Sequence, residues 1–187
     1  YPSAGLNTQY PRSMSAPPPN GEPLPYNQQS WGWAYQILPY LDQDSVHRKT
    51  DDAEVASASN PNYFCPSRRR PEARPGIECG LPAQSLRGAL DYAGNGGNGI
   101  LNGTQTPSYP ASEAWIRQSG AVIPIGHIYS ANVFVPSSIR VGPGVKDGDQ
   151  FTILVGERNF NRQRRADPAQ YDEDNGYIAG YSWDSIR

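Results

Sequence analysis

The eleven residues from Trp31 to Leu41, Trp-Gly-Trp-Ala-Tyr-Gln-Ile-Leu-Pro-Tyr-Leu, hold four aromatics and three large aliphatics directly after a polar, proline-rich lead-in. So dense an apolar run has to be buried, and a chain whose hydrophobic content begins this abruptly must build its core around it. Trp33, Ile37 and Leu41 recur at i, i+4 and i+8, with Trp31, Tyr35 and Leu38 flanking, which predicts one face of a short helix over residues 30–46. Ser30 is the candidate N-cap. Pro39 has no amide hydrogen and its ring clashes with the preceding turn, so the helix should kink or break there.

A length of 187 residues is a prior for one domain, but 36% hydrophobic content is low for a core of that size. Twelve Tyr, four Trp and four Phe offset the deficit, because each buries a large area. Nineteen Gly and nineteen Pro predict many irregular connections. The division expected is a Pro-rich extended segment over residues 1–30, lying on the surface, and a single globular domain over 31–187.

Beyond the helix, Tyr63 to Cys65 reads as a short buried strand stopped by Pro66. Leu90 to Ala93 reads as a second, running into the glycine-rich stretch Gly94 to Gly99. The runs 121–125, 130–135 and 138–141 follow, and 151–155 is the clearest strand pattern in the chain. Tyr177 to Trp183 is a final aromatic strand. One helix and then six or seven short strands, without β-α-β alternation, predicts an α+β fold: an antiparallel β-sheet with one short helix packed on it and many long loops.

A net charge of −2 gives no global attraction to nucleic acid. The arginine clusters Arg68 to Arg70 and Arg158, Arg162, Arg164 and Arg165 read as solvated loops with nearby counter-charges. No apolar run approaches the roughly eighteen residues of a membrane span. Tyr1 is not an initiator Met, which reads as a processed product or a piece of a longer chain from which a targeting or anchoring segment has been removed. Cys65 and Cys79, with two distant histidines, cannot make the usual four-ligand zinc site. A disulfide between them would restrain the Pro- and Arg-rich loop by roughly 3 kcal/mol and would place the protein in an oxidising compartment.

Catalytic chemistry finds little support. His47 and His127 are the only imidazoles, and neither lies near a nucleophile motif. The acid pairs Asp51-Asp52, Asp147/Asp149 and Asp172-Glu173-Asp174 read as solvated turns. Asp147 and Asp149, and Asp172 and Asp174, are weak calcium candidates, since neither pair fits an EF-hand loop. Glu157 ends the clearest strand pattern, and if buried beside Arg158 or Arg140 it reads as a structural ion pair and not a general acid. Gly94 to Gly99 lacks the Lys-Ser/Thr of a phosphate loop. Asn102-Gly103-Thr104 matches the glycosylation pattern, which is common by chance.

Four stretches nevertheless stand in a recognisable order: Trp31-Gly32-Trp33 through Pro39-Tyr40-Leu41-Asp42-Gln43, Phe64-Cys65-Pro66-Ser67, Asp91-Tyr92-Ala93-Gly94-Asn95, and Asp147-Gly148 through Gly156-Glu157. This order resembles a planctomycete-type family of surface proteins known as domain of unknown function 1559, also labelled bacterial solute-binding proteins. Members of that family begin with a prepilin-type methylation helix and end in a His-x9-Asp-Gly signature, and this chain carries neither. The resemblance implies a pilin-like or pseudopilin-like fold and an apolar face left where a long helix would pack.

The function expected is therefore a non-enzymatic, extracytoplasmic structural or assembly subunit of a surface filament or secretion apparatus. Its partners would be subunits of the same or a related kind, with membrane contact only through the missing N-terminal helix. No cofactor is expected beyond the weak calcium candidates. The alternative is a secreted glycan- or peptide-binding module using exposed aromatics, for which Tyr26, Trp31, Trp115, Tyr177, Tyr181 and Trp183 are the candidates.

Overall fold

The computed structural model describes residues 2–6, 10–77, 79–96, 152–159 and 175–180, together with the backbone of two strands at 126–129 and 133–136. The apolar run folds as three successive turns in place of one helix. α1 spans Trp33–Gln36, a 3-10 turn covers Leu38–Leu41 with Pro39 in its first turn, and α2 spans Asp44–His47. Pro39 breaks the α-helix where its missing amide would have been needed, and Asp42 closes the 3-10 turn in the left-handed region at φ 57°. Ser30 does not cap α1. Gly32 occupies that position, and the Ser30 hydroxyl lies 2.6 Å from that of Ser13. α3 spans Asp52–Ser57 and is capped by the Asp51 side chain, which accepts the Ala53 N–H at 2.8 Å.

The fold class is α+β with long loops, but the described strands form three separate two-stranded antiparallel ladders and not one sheet. β1 (Ala73–Pro75) pairs β2 (Leu86–Gly88), with Arg74 opposite Arg87. β3 (Tyr92–Gly94) pairs β6 (Val155–Glu157), with Tyr92 opposite Glu157. β4 (Gly126–Tyr129) and β5 (Val133–Pro136) make a hairpin. Pro75, Gly88 and Pro136 stand at strand ends, and pairing this short cannot spread into a wider sheet.

Four predicted strands change character. Tyr63 to Cys65 follows a 3-10 turn, Pro61–Tyr63, because Asn60 caps that turn by accepting the Asn62 N–H and Pro61 favours its first position. The 90–93 strand starts later, at Tyr92. The 151–155 strand pairs only from Val155 onward, through Glu157. Tyr177 begins no strand among the described residues and lies instead in a 3-10 turn, Gly176–Ile178. The 130–135 prediction overlaps β5, while the runs 121–125 and 138–141 lie outside the described residues.

The core sits between the helical layer and the Gly176–Ile178 turn, with Trp31, Tyr35, Leu38, Val55, Leu90 and Ile178 all buried. Two tyrosines tie its parts together. The Tyr63 hydroxyl donates to the Ala34 carbonyl and the Tyr177 hydroxyl to that of Val55, and the two rings pack 5.4 Å apart. Residues 2–6 and 10–30 are woven into this body as well as lying on it. Ala4 is buried, the Leu6 N–H donates to the Ser30 carbonyl at 2.8 Å, and residues 10–30 form a ribbon whose part 13–24 is closed by Ser15 N–H to Glu22 and Leu24 N–H to Ser13 bonds. Gln29 Oε1 accepts from the backbone N–H groups of both Ser13 and Trp31, which ties the ribbon to the start of the apolar run. No helix among the described residues is long and apolar enough to cross a membrane.

Candidate functional site

Arg12 comes from the proline-rich ribbon, yet its side chain is completely buried. Its guanidinium pairs with Asp52 at 2.7 Å and donates to the carbonyls of Lys49 (2.7 Å) and His47 (3.2 Å). It also stands 5.5 Å from the Trp31 ring centroid and 5.9 Å from that of Tyr35. One cation thereby joins the ribbon, α1, the end of α2 and α3 through charge, hydrogen-bond and ring contacts. Tyr35 lies beneath it, its hydroxyl donating to the His47 carbonyl at 3.1 Å, and burial pushes its phenol up to about 12. The His47 ring stacks on Tyr35 at 4.7 Å, and burial lowers its pKa below the ordinary histidine value.

Above this buried layer the ribbon and the helical turns leave an apolar groove of about 620 Å3. Pro2, Pro25 and Tyr26 form one wall, Ile37, Pro39 and Tyr40 the other, and Gln36 and His47 are its polar points. Tyr40 is 86% exposed and Tyr26 46% exposed. The volume falls within the range of small-ligand and peptide sites, and its apolar lining with few polar groups suits contact with an apolar or aromatic partner.

Three of the four family-like stretches meet at a second centre, around Asp91. This carboxylate is fully buried, pairs with Arg69 at 2.5 Å and accepts the Cys65 N–H at 2.9 Å. Its backbone N–H donates to Tyr63 and its carbonyl accepts from Arg158. Glu157, on β6, pairs with Arg68 at 2.9 Å among the described residues, and its side chain is half exposed, so the pair is a surface one; Arg140 lies outside the described residues. Arg69 is buried, with Glu72 as a further partner at 3.0 Å, so the triplet Arg68 to Arg70 is not a wholly solvated loop. Asn95, at the end of the same landmark, donates its side-chain amide to the Ile153 carbonyl, and its backbone N–H to that of Leu154. Gly156 lies beside them in the β3–β6 ladder. The contacts placed here hold one loop to another, and the arrangement is suited to fixing structure.

Cys65 and Cys79 form no disulfide. Both are buried in separate settings: Cys65 Sγ is 3.1 Å from the Ser67 hydroxyl, whereas Cys79, at φ 67°, directs its thiol toward the Asn175 carbonyl at 3.9 Å. The turn holds Cys79 in the left-handed region with its thiol toward the 175–180 segment.

Of the residues expected to matter, Trp31 and Trp33 are buried core, Leu41 packs against that core, and Phe64 is covered by the Arg69 guanidinium at 5.3 Å. Pro66 is an exposed turn residue after Cys65. Among the aromatic candidates, Trp31 and Tyr177 are buried and Tyr26 is exposed, while Trp115, Tyr181 and Trp183 lie outside the described residues. Asp147, Gly148, Asp149, Asp172 and Asp174 also lie outside them. No group of three or more His, Cys, Asp or Glu fit for a metal occurs among the described residues. Arg12 and Tyr40 carry more of the site than the sequence reading gave them. Arg12 offered no signal in spacing, because its partners are about forty residues away in the chain.

Neither the curated proteins nor the solved structures give a match to this chain. A family model described as a protein of unknown function (DUF1559), with the short name SBP_bac_10, matches residues 7–182. That span takes in the ribbon, the apolar run, the Asp91 centre and the Gly176–Ile178 turn, and the chain belongs to the DUF1559 family.

Proposed function

We propose that this chain is a non-enzymatic structural subunit of an extracytoplasmic assembly, similar to a pilin or pseudopilin, which contacts further subunits of the same or a related kind through the groove between the ribbon and the 3-10 turn. The observation that carries this reading is Tyr40. Its neighbours in the apolar run supply the core, yet Tyr40 stands 86% exposed on the rim of an apolar groove that also displays Tyr26. An aromatic ring kept in water beside an apolar concavity favours a partner surface. Asp52, Asp91 and Glu157 are each paired with an arginine, which supports a structural and not a catalytic use. The extracytoplasmic setting rests on the family resemblance alone, since no disulfide speaks for it.

Sedimentation velocity over a concentration series tests the reading, with Tyr40→Ser as the variant. The native chain should self-associate as concentration rises, and Tyr40→Ser should remain monomeric with an unchanged melting temperature, because the ring supports no buried neighbour. The exposed tyrosines also favour a second reading, a glycan- or peptide-binding module. A native chain that stays monomeric throughout and binds oligosaccharide or peptide in a manner dependent on Tyr26 and Tyr40 would replace the first reading with the second.

A further inference from the structure

We propose that His47 is an acid-operated latch on the ribbon of residues 10–30: a proton taken up by its ring loosens the ribbon from the helical layer and opens the groove between them. The ring sits where three elements converge. It stacks on Tyr35 of α1 at 4.7 Å, lines the groove with Tyr26 and Tyr40, and belongs to the residue whose carbonyl accepts from the ribbon's Arg12 at 3.2 Å.

The charged groups facing the ring come from every element packed there. Arg12 comes from the ribbon, itself paired with Asp52 at the start of α3; Glu22 also comes from the ribbon; Asp44 and Arg48 belong to α2 and its cap. Asp44 and Glu22 favour a charged ring, while burial, Arg12 and Arg48 oppose it, and burial is the largest influence. Both favourable carboxylates are already engaged, because Arg48 bonds Asp44 at 2.8 Å and Glu22 at 3.1 Å. Among the described residues neither ring nitrogen of His47 has a hydrogen-bond partner.

An imidazolium formed here has two ways to relax. It can draw Glu22 from Arg48, which breaks the ion pair between Glu22 on the ribbon and Arg48 at the end of α2. Alternatively it can repel Arg12, whose guanidinium already occupies the Tyr35 ring at 5.9 Å. Either adjustment falls on a link between the ribbon and the helical layer. The sign is fixed by the lowered folded-state pKa: the link is intact above the ordinary histidine value of 6.5 and is lost as pH falls through the lower folded value.

The experiment is amide hydrogen exchange on the native chain from about pH 7.5 down to about pH 5, corrected for intrinsic rate, with an NMR titration of the His47 Cε1–H alongside. Protection of the ribbon amides of Ser15 and Leu24 should fall by about tenfold or more, with a midpoint coincident with the His47 titration, while the core amide of Asp91 stays protected. His47→Gln should abolish the pH dependence of the ribbon. Ribbon protection unchanged through the His47 titration, a midpoint apart from it, or simultaneous loss at Asp91 would overturn the latch. If the variant does not fold, the coincidence of midpoints in the native chain decides. The readout involves neither self-association nor ligand, so its failure leaves the subunit reading where it stood.

Discussion

Asp91 and Glu157 are both paired with arginine in the same centre, but their surroundings give the pairs very different weight. The Asp91–Arg69 pair has no exposed side-chain surface on either partner, whereas half of the Glu157 side chain meets water. Removing one member of a buried pair strands the other charge, at a cost of about 3–5 kcal/mol, while a surface pair contributes about 1 kcal/mol at most. Asp91→Ala should therefore destabilise by about 3 kcal/mol, the low end, because Glu72 still bonds Arg69 at 3.0 Å. Glu157→Ala should cost under about 1 kcal/mol. Urea denaturation of the two variants checks this, and equal midpoints would refute it. Asp91 and Glu157 were legible in the sequence as family marks, but their burial was not. Three adjacent arginines look alike in sequence, and only the fold separates Arg69, over the Phe64 ring and against Asp91, from exposed Arg70.

The elements are held together at close backbone approaches, and Gly32 marks one. Its N–H donates to the Ile178 carbonyl at 3.4 Å, and a Cβ at this position would lie 2.0 Å from the Ala179 carbonyl oxygen. Both contacts join the start of α1 to the Gly176–Ile178 turn, so Gly32→Ala must push the two segments apart. The expected loss is about 1–3 kcal/mol, the range of an overpacked core, and Tyr177 should become more open to hydrogen exchange and quenching as its bond to Val55 loosens. A melting temperature equal to that of the native chain would count against this account. At this scale the sequence was partly readable. Hydrophobic density marked the run that builds the core, and the proline rule found its break. The face read through Trp33, Ile37 and Leu41 is not one buried stripe, because the run is three turns and Ile37 and Leu41 are only partly buried. Strand boundaries went astray because β-branched and aromatic runs report burial as well as pairing. Tyr63 and Tyr177 are buried by the core in 3-10 turns, where their hydroxyls close helix carbonyls, and nothing local distinguishes that use from a strand.

Across the whole molecule, tyrosine does the work that aliphatic residues do in richer cores, and this gives the fold a particular weakness to alkali. Burial raises the phenol of Tyr35 to about 12 and pushes those of Tyr63 and Tyr177 up further. Their hydroxyls donate to the carbonyls of His47, Ala34 and Val55, so ionisation would remove the donors and place charge among apolar neighbours. A raised folded-state value means that the stabilisation is complete below the ordinary phenol value of 10.0 and is lost as pH climbs above it, because the unfolded chain releases these protons first. With three phenols acting together, stability should fall at about 4 kcal/mol per pH unit once pH exceeds 10. Against a typical total of about 5–15 kcal/mol, the chain should unfold cooperatively within a few pH units. Phenolate absorbance near 295 nm and far-ultraviolet circular dichroism, followed together, should show the exposed tyrosines ionising first, then a sharp further rise coincident with loss of structure. If all twelve tyrosines ionise along one shallow curve while the dichroism is unchanged, the phenols are not what closes this core.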